Sequence, residues 1–98
     1  MAIVSIISSD EKDLTIEIIG IFSLIEQHEF MKTYANKDIE SCTLNMNSAL
    51  EIDASGLGFM LLLKDSLAID AVISIIHCNP QIKEMLFLAR FDKKFHIK

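Results

Sequence analysis

Ninety-eight residues, 51% hydrophobic and 23% charged, with one proline and three glycines, suit a single globular domain spanning 1–98, one core and no flexible linker. A net charge of −5 argues against nucleic acid as a partner, because phosphate neutralisation needs clustered Lys and Arg. No apolar run reaches the roughly 18 residues of a membrane span. The N-terminus has neither a basic n-region nor a small-residue cleavage site, so no membrane or secretory segment is expected and the location is cytoplasmic.

Met1 to Ile7 is mostly β-branched and predicts a strand; Ser8 to Lys12 is a polar turn. From Asp13 to Ile21 the chain alternates, with Leu14, Ile16 and Ile18 on one face and Thr15 and Glu17 on the other. This is a half-buried strand, antiparallel to the first across a short turn. Gly20 to Phe22 closes that segment. Ser23 then opens a helix, with Glu26 at capping-box spacing, and Leu24, His28, Met31, Tyr34 and Ala35 fall on one helical face. His28 there reads as a packed side chain rather than a ligand. Asn36-Lys37-Asp38 ends the helix.

Ser41 to Met46 predicts a third strand, and Asn47-Ser48 breaks the chain before Ala49-Leu50-Glu51-Ile52. A glycine turn leads into a helix from about Ser55 to Ile69. On it Phe59, Leu62, Leu63, Leu67 and Ile69 form the expected core face, with Lys64 and Asp65 on the wet side. Leu57, Leu61 and Ala68 fall on that wet side too, either as a docking stripe or beneath neighbouring loops. Ala71 to Ile76 is a nearly continuous apolar run, as expected of a parallel strand covered on both faces. Asn79-Pro80 is a strong helix start, with Ile82, Met85, Leu86 and Ala89 as its inner face. Phe91 and Phe95 pin a basic end in which Arg90, Lys93, Lys94 and Lys98 oppose only Asp92. The order β-β-α-β-α-β-α gives an α/β domain: a mixed, mostly parallel sheet of four to five strands packed with three to four helices.

Constellations for catalysis are thin. His28, His77 and His96 have no spacing for a metal site or a triad. Cys42 and Cys78 lack metal-ligand spacing and read as buried free thiols. Gly56-x-Gly58 lacks the third glycine of a dinucleotide fingerprint, and no phosphate-binding loop is present. No catalytic residue, metal or cofactor is expected. Asp53 reads as a helix cap rather than a catalytic acid. The turn suits recognition by another protein, since Gly56 and Gly58 remove side chains that would hold a partner away. A phosphate at such a helix start would be stabilised in place while repelling an acidic partner surface.

Ile52-Asp53-Ala54-Ser55-Gly56-Leu57-Gly58 followed by an apolar helix resembles the Asp-Ser-Ser/Thr-Gly-Leu-Gly motif of STAS domains, the anti-sigma factor antagonists. Gly20-Ile21-Phe22-Ser23, with His28-Glu29-Phe30 and Tyr34, looks like the Gly-Arg-Phe-Asp start of the first helix in one branch of that family. Asn79-Pro80-Gln81-Ile82-Lys83 and Phe91-Asp92-Lys93-Lys94-Phe95 are similar to its last helix and closing segment. The resemblance spans nearly the whole chain. It implies a STAS-like fold and a partner-switching role without enzymatic activity. Such a protein binds an anti-sigma factor, usually a serine kinase of the switch type, and so frees a sigma factor. The kinase phosphorylates the hydroxyl residue directly after the motif Asp, and a phosphatase reverses this.

Here that residue is Ala54, which cannot accept a phosphate; Ser55 is the remaining phosphoacceptor candidate. Three readings stay open: an antagonist that binds constantly, a phosphate moved to Ser55, or a substitution that locks the dephosphorylated form. Ser23 stands where the family often has Asp, which keeps a cap but loses a charge. The partner-binding set implied is Ser23, Asp53, Ala54, Ser55, Gly56, Leu57, Gly58 and Leu61, on a monomer or weak dimer. The alternative is a STAS-type module that senses a ligand or nucleotide, or an accessory subunit of lipid transport.

Overall fold

The period-2 alternation of Leu14, Ile16 and Ile18 is answered by strand β2 (Asp13–Ile18), in which all three side chains are buried. The computed structural model describes residues 3–98, so Met1 and Ala2 of the expected first strand lie outside the described residues. Within them β1 (Ile3–Ile7) pairs antiparallel with β2 as expected. β4 (Ser41–Asn45), β6 (Val72–Ile76) and β7 (His96–Ile97) then add in parallel, giving the order β1-β2-β4-β6-β7. The last of these, a two-residue strand, was not expected from the sequence.

Two further strands change the reading of the middle of the chain. β3 (Gly20–Phe22) and β5 (Ala49–Ile52) pair in parallel as a small second sheet. Each follows its predecessor, β2 or β4, by a few residues, so the pairing of β2 with β4 resumes beyond a kink. Gly20 sits at that kink with φ +79°, in the left-handed region that favours glycine, and its N–H donates to the Ser48 carbonyl at 2.9 Å. Gly20 to Phe22 therefore starts a new sheet rather than ending the old one.

Three helices cover the sheet: α1 (Gln27–Tyr34), α2 (Ala54–Ser66) and α3 (Pro80–Leu88). The result is the expected mixed, mostly parallel α/β architecture. Asn79 caps α3, its Oδ1 accepting from the Ile82 N–H at 2.8 Å, and its Nδ2 donates to the Ala49 and Leu50 carbonyls at 3.3 and 3.2 Å. One side chain thus starts the helix and ties it to β5.

The helical faces differ from expectation in detail. α1 is entered through a 3₁₀ turn (Leu24–Glu26), which shifts its phase. Phe30 and Tyr34 are its buried residues, while Leu24, His28, Met31 and Ala35 are exposed. α2 ends at Ser66, three residues early, which leaves Ile69 96% exposed; Leu62 is 45% exposed. Its inner ladder is Gly56, Phe59, Met60 and Leu63, an i, i+3, i+4, i+7 series whose first member is a glycine and so carries no hydrophobic signal. On α3, Ile82 and Leu86 are buried, and Met85 and Ala89 are not. Phe91 and Phe95 are buried and stacked, with ring centroids 5.2 Å apart, and hold the basic end as expected.

The sheet is also not covered on both faces. Leu14, Ile16, Leu44, Ile73 and Ile75 pack beneath the helices, but Val4, Ile6 and Val72 on the opposite face are 42%, 70% and 46% exposed. Ser74 in the middle of β6 gives this away: the run is apolar, but its registered row Thr15–Thr43–Ser74 is made of hydroxyls.

Both cysteines are free; Cys42 is buried and Cys78 half-buried. Burial pushes the Cys42 thiol up to about 12. The unfolded thiol ionises near 9.0, so the folded form holds its proton where the unfolded form does not. The contribution is present below 9.0 and is lost as pH rises toward the folded value, by about 1.4 kcal/mol per pH unit. Denaturant melts on either side of pH 9.0 are expected to show this alkaline loss. Thiol-reagent labelling under native conditions is expected to modify Cys78 first and Cys42 only on unfolding; rapid native labelling of Cys42 would contradict its burial.

Candidate functional site

The glycine turn lies where β5 gives way to α2. Asp53 is the N-cap with extended backbone, and its Oδ1 accepts from the Gly56 N–H at 2.9 Å. The Asp53 N–H donates to the Phe22 carbonyl at 3.2 Å, and the Leu57 N–H to the Asp53 carbonyl at 3.1 Å. The cap is therefore held from behind by the end of β3, which places Ser23, the next residue, beside it. Ser23 is half-buried. Its N–H and hydroxyl both donate to Glu26 Oε1, at 3.1 and 3.3 Å, so the capping-box pairing with Glu26 is present on that side.

Gly56 has a different role from the one expected. It is buried, and a Cβ built on it would lie 2.6 Å from the Phe22 carbonyl oxygen and 2.8 Å from Ile52 Cγ1. The missing side chain admits the body of the protein rather than a partner. Gly58 is the reverse: half-exposed, with nothing within 4 Å of its would-be Cβ. Asp53 and Ala54 are exposed and Ser55 is half-buried. Leu57 and Leu61 are half-buried and pack against the core, so they are flank residues rather than a free stripe; Ala68 is exposed.

The apolar groups that stand in water at this end are others. Ile21 and Leu50 are 51% and 67% exposed, and Leu24 and Ile25, just after Ser23, are 62% and 87% exposed. Ile21, Leu50 and Met85 line a groove of about 400 Å³ that also meets Glu51 and Asp53. Periodicity could not find Ile21 and Leu50, because the short strands β3 and β5 carry only three and four residues. Phe22 itself is fully buried, 4.9 Å from Phe30 and 6.0 Å from Phe59 between ring centroids, and this aromatic cluster fixes β3 against α1 and α2.

Among the described residues, no group of three or more His, Cys, Asp or Glu could hold a metal ion, and no helix is long and apolar enough to cross a membrane.

A scan against models of protein families gave no match. A STAS-domain containing protein of Pseudomonas aeruginosa (strain UCBPP-PA14) is 32% identical over 100 residues, an alignment covering 99% of this chain and 99% of the relative. This chain belongs to the STAS-domain family. Solved structures share the fold. An anti-sigma factor antagonist from Mycobacterium paratuberculosis superposes with a TM-score of 0.79 at 11% identity, over 98% of this chain and 85% of that one. The anti-sigma factor antagonist SpoIIAA in its unphosphorylated form gives 0.75 at 13% identity, over 99% and 87%.

Within this STAS domain the two glycines of the turn are expected to behave oppositely. Gly56→Ala forces a Cβ against the Phe22 backbone and is expected to destabilise by about 1–3 kcal/mol. Gly58→Ala meets open space inside a helix and is expected to stabilise by about 0.5–1 kcal/mol. Asp53→Ala is expected to cost about 1 kcal/mol through the lost cap. Urea unfolding of the three variants checks the order, and a tolerated Gly56→Ala would show that the close approach is unimportant.

Proposed function

We propose that this STAS domain is a cytoplasmic partner-switching regulator that binds an anti-sigma factor or switch-type serine kinase and thereby frees a sigma factor. The docking surface is the turn and helix from Asp53 to Leu61, with Ser23 beside it. What supports this reading is the geometry of the turn. Its backbone is fixed from behind by Phe22, while Asp53 and Ala54 are exposed and Gly58 half-exposed, and the exposed Ile21 and Leu50 line a groove with Asp53. A rigid, small-residue turn rimmed by apolar side chains suits a tightly packed protein contact, because little has to be ordered on binding. The reading assigns the domain no catalysis.

The exposed methyl of Ala54 stands where the family's phosphoacceptor stands, so the turn is read as unphosphorylated, and binding is not switched there. Ser55 keeps a hydroxyl but is half-buried. Incubation with the cognate kinase and ATP, followed by intact-mass measurement, is expected to show no added phosphate on the natural chain and one on Ala54→Ser. A phosphate mapped to Ser55 would contradict this.

For the docking surface itself, pull-down of anti-sigma factors from the same genome is the direct check. Gly58→Glu is expected to abolish capture while leaving the fold intact, since nothing lies near that position. Undiminished capture would remove the proposed surface. The groove of about 400 Å³ gives a second reading some footing, namely a ligand-sensing or lipid-transport accessory role. A small molecule retained in native mass spectrometry would favour it.

A further inference from the structure

The main sheet ends in two very different edges. β7 is two residues long, and Lys93, Lys94 and Lys98 flank it, the short charged arrangement that keeps sheet edges from pairing. β1 is longer and carries no charge within it; Asp10 and Glu11 follow only after Ser8 and Ser9. Ile3-Val4-Ser5-Ile6-Ile7 is five residues long, uncharged and free of proline, and among the described residues it pairs with β2 alone. Its outer row of backbone groups has no partner among the described residues.

The strand is also nearly symmetric about its centre. Reversed around Ser5, Ile3 exchanges with Ile7 and Val4 with Ile6. An antiparallel copy placed against this edge with Ser5 on the two-fold axis would therefore set like against like on both faces. Ile3 would oppose Ile7 on the helix-covered face, and Val4 would oppose Ile6 on the open face. The open-face pair is 42% and 70% exposed in the single chain, so pairing removes apolar surface from water while satisfying backbone donors and acceptors. No charge on the strand opposes the contact, and a serine at the axis leaves room where the two chains come closest.

We infer that β1 is a self-association edge: two copies of this chain join antiparallel through Ile3–Ile7 into one continuous ten-stranded sheet built from two five-stranded ones. The contact is separate from the Asp53 turn and does not depend on the function proposed for that turn. Edges of five residues bury less than the roughly 1,000 Å² of a stable interface, so the dimer is weak and concentration-dependent.

Sedimentation equilibrium over a broad concentration range tests this. The natural chain is expected to pass from monomer to dimer, and Ile6→Lys to remain monomeric throughout with an unchanged melting temperature, because that side chain lies mostly in solvent. Ser5→Cys in a Cys78→Ser background supplies an independent readout. Directly opposed antiparallel residues have Cα atoms about 4.5–5.5 Å apart, within disulfide reach, so mild oxidation is expected to link the two chains. A natural chain that stays monomeric at every concentration, a dimer indifferent to Ile6→Lys, or a Ser5→Cys chain that does not cross-link would overturn the inference.

Discussion

The close approach of the first turn of α2 to the end of β3 is the constraint on which the site depends. The Phe22 carbonyl receives the Asp53 N–H, and Gly56 has no side chain, so helix and strand meet backbone to backbone. Around that contact Phe22 is buried between Phe30 and Phe59, which ties α1, β3 and α2 into one cluster. Any side chain at position 56 would have to displace the Phe22 backbone or Ile52, neither of which is the flexible end of a long side chain. The glycine that looks like an invitation to a partner is a requirement of the protein's own packing.

This changes which features of the turn face outward. With Gly56 turned inward, the docking surface proposed above would rest on Gly58 and the exposed Asp53 and Ala54, with Ser23 brought beside them because Phe22 precedes it. The turn is held by three backbone-directed hydrogen bonds, so its shape does not depend on what residue 54 is. On the function proposed above, Ala54 would remove the chemical switch and leave the geometry of the turn as it is.

The parts legible in the sequence were those with local physical causes. Asp53 and Asn79 are caps with side-chain acceptors at fixed spacing, and the structure places both in bonds to the N–H three residues on. The alternation of β2 and the antiparallel β1–β2 pair followed from period 2. What escaped had non-local causes. β3, β5 and β7 exist because a neighbour pairs with them; two to four residues carry no pattern of their own. The ladder of α2 begins on a glycine that no hydrophobicity count can see. The open sheet face was signalled in β6 by Ser74 alone, and its meaning depends on the Thr15–Thr43–Ser74 row that only the strand pairing assembles. The exposed groups Ile21, Leu50 and Met85 come together only through the β3–β5 pairing and the docking of α3 by Asn79.

The turn and the β1 edge belong to different elements, so the partner binding and the self-association proposed above are separable in space. The most direct measurement is an NMR titration of the isotope-labelled domain with an anti-sigma factor from the same genome. Amide shifts confined to residues 21–25 and 53–61, with β1 and the open sheet face unmoved, are the expected result. Shifts that cluster on the sheet face while the amides of Asp53 to Leu61 stay in place would contradict docking through the turn.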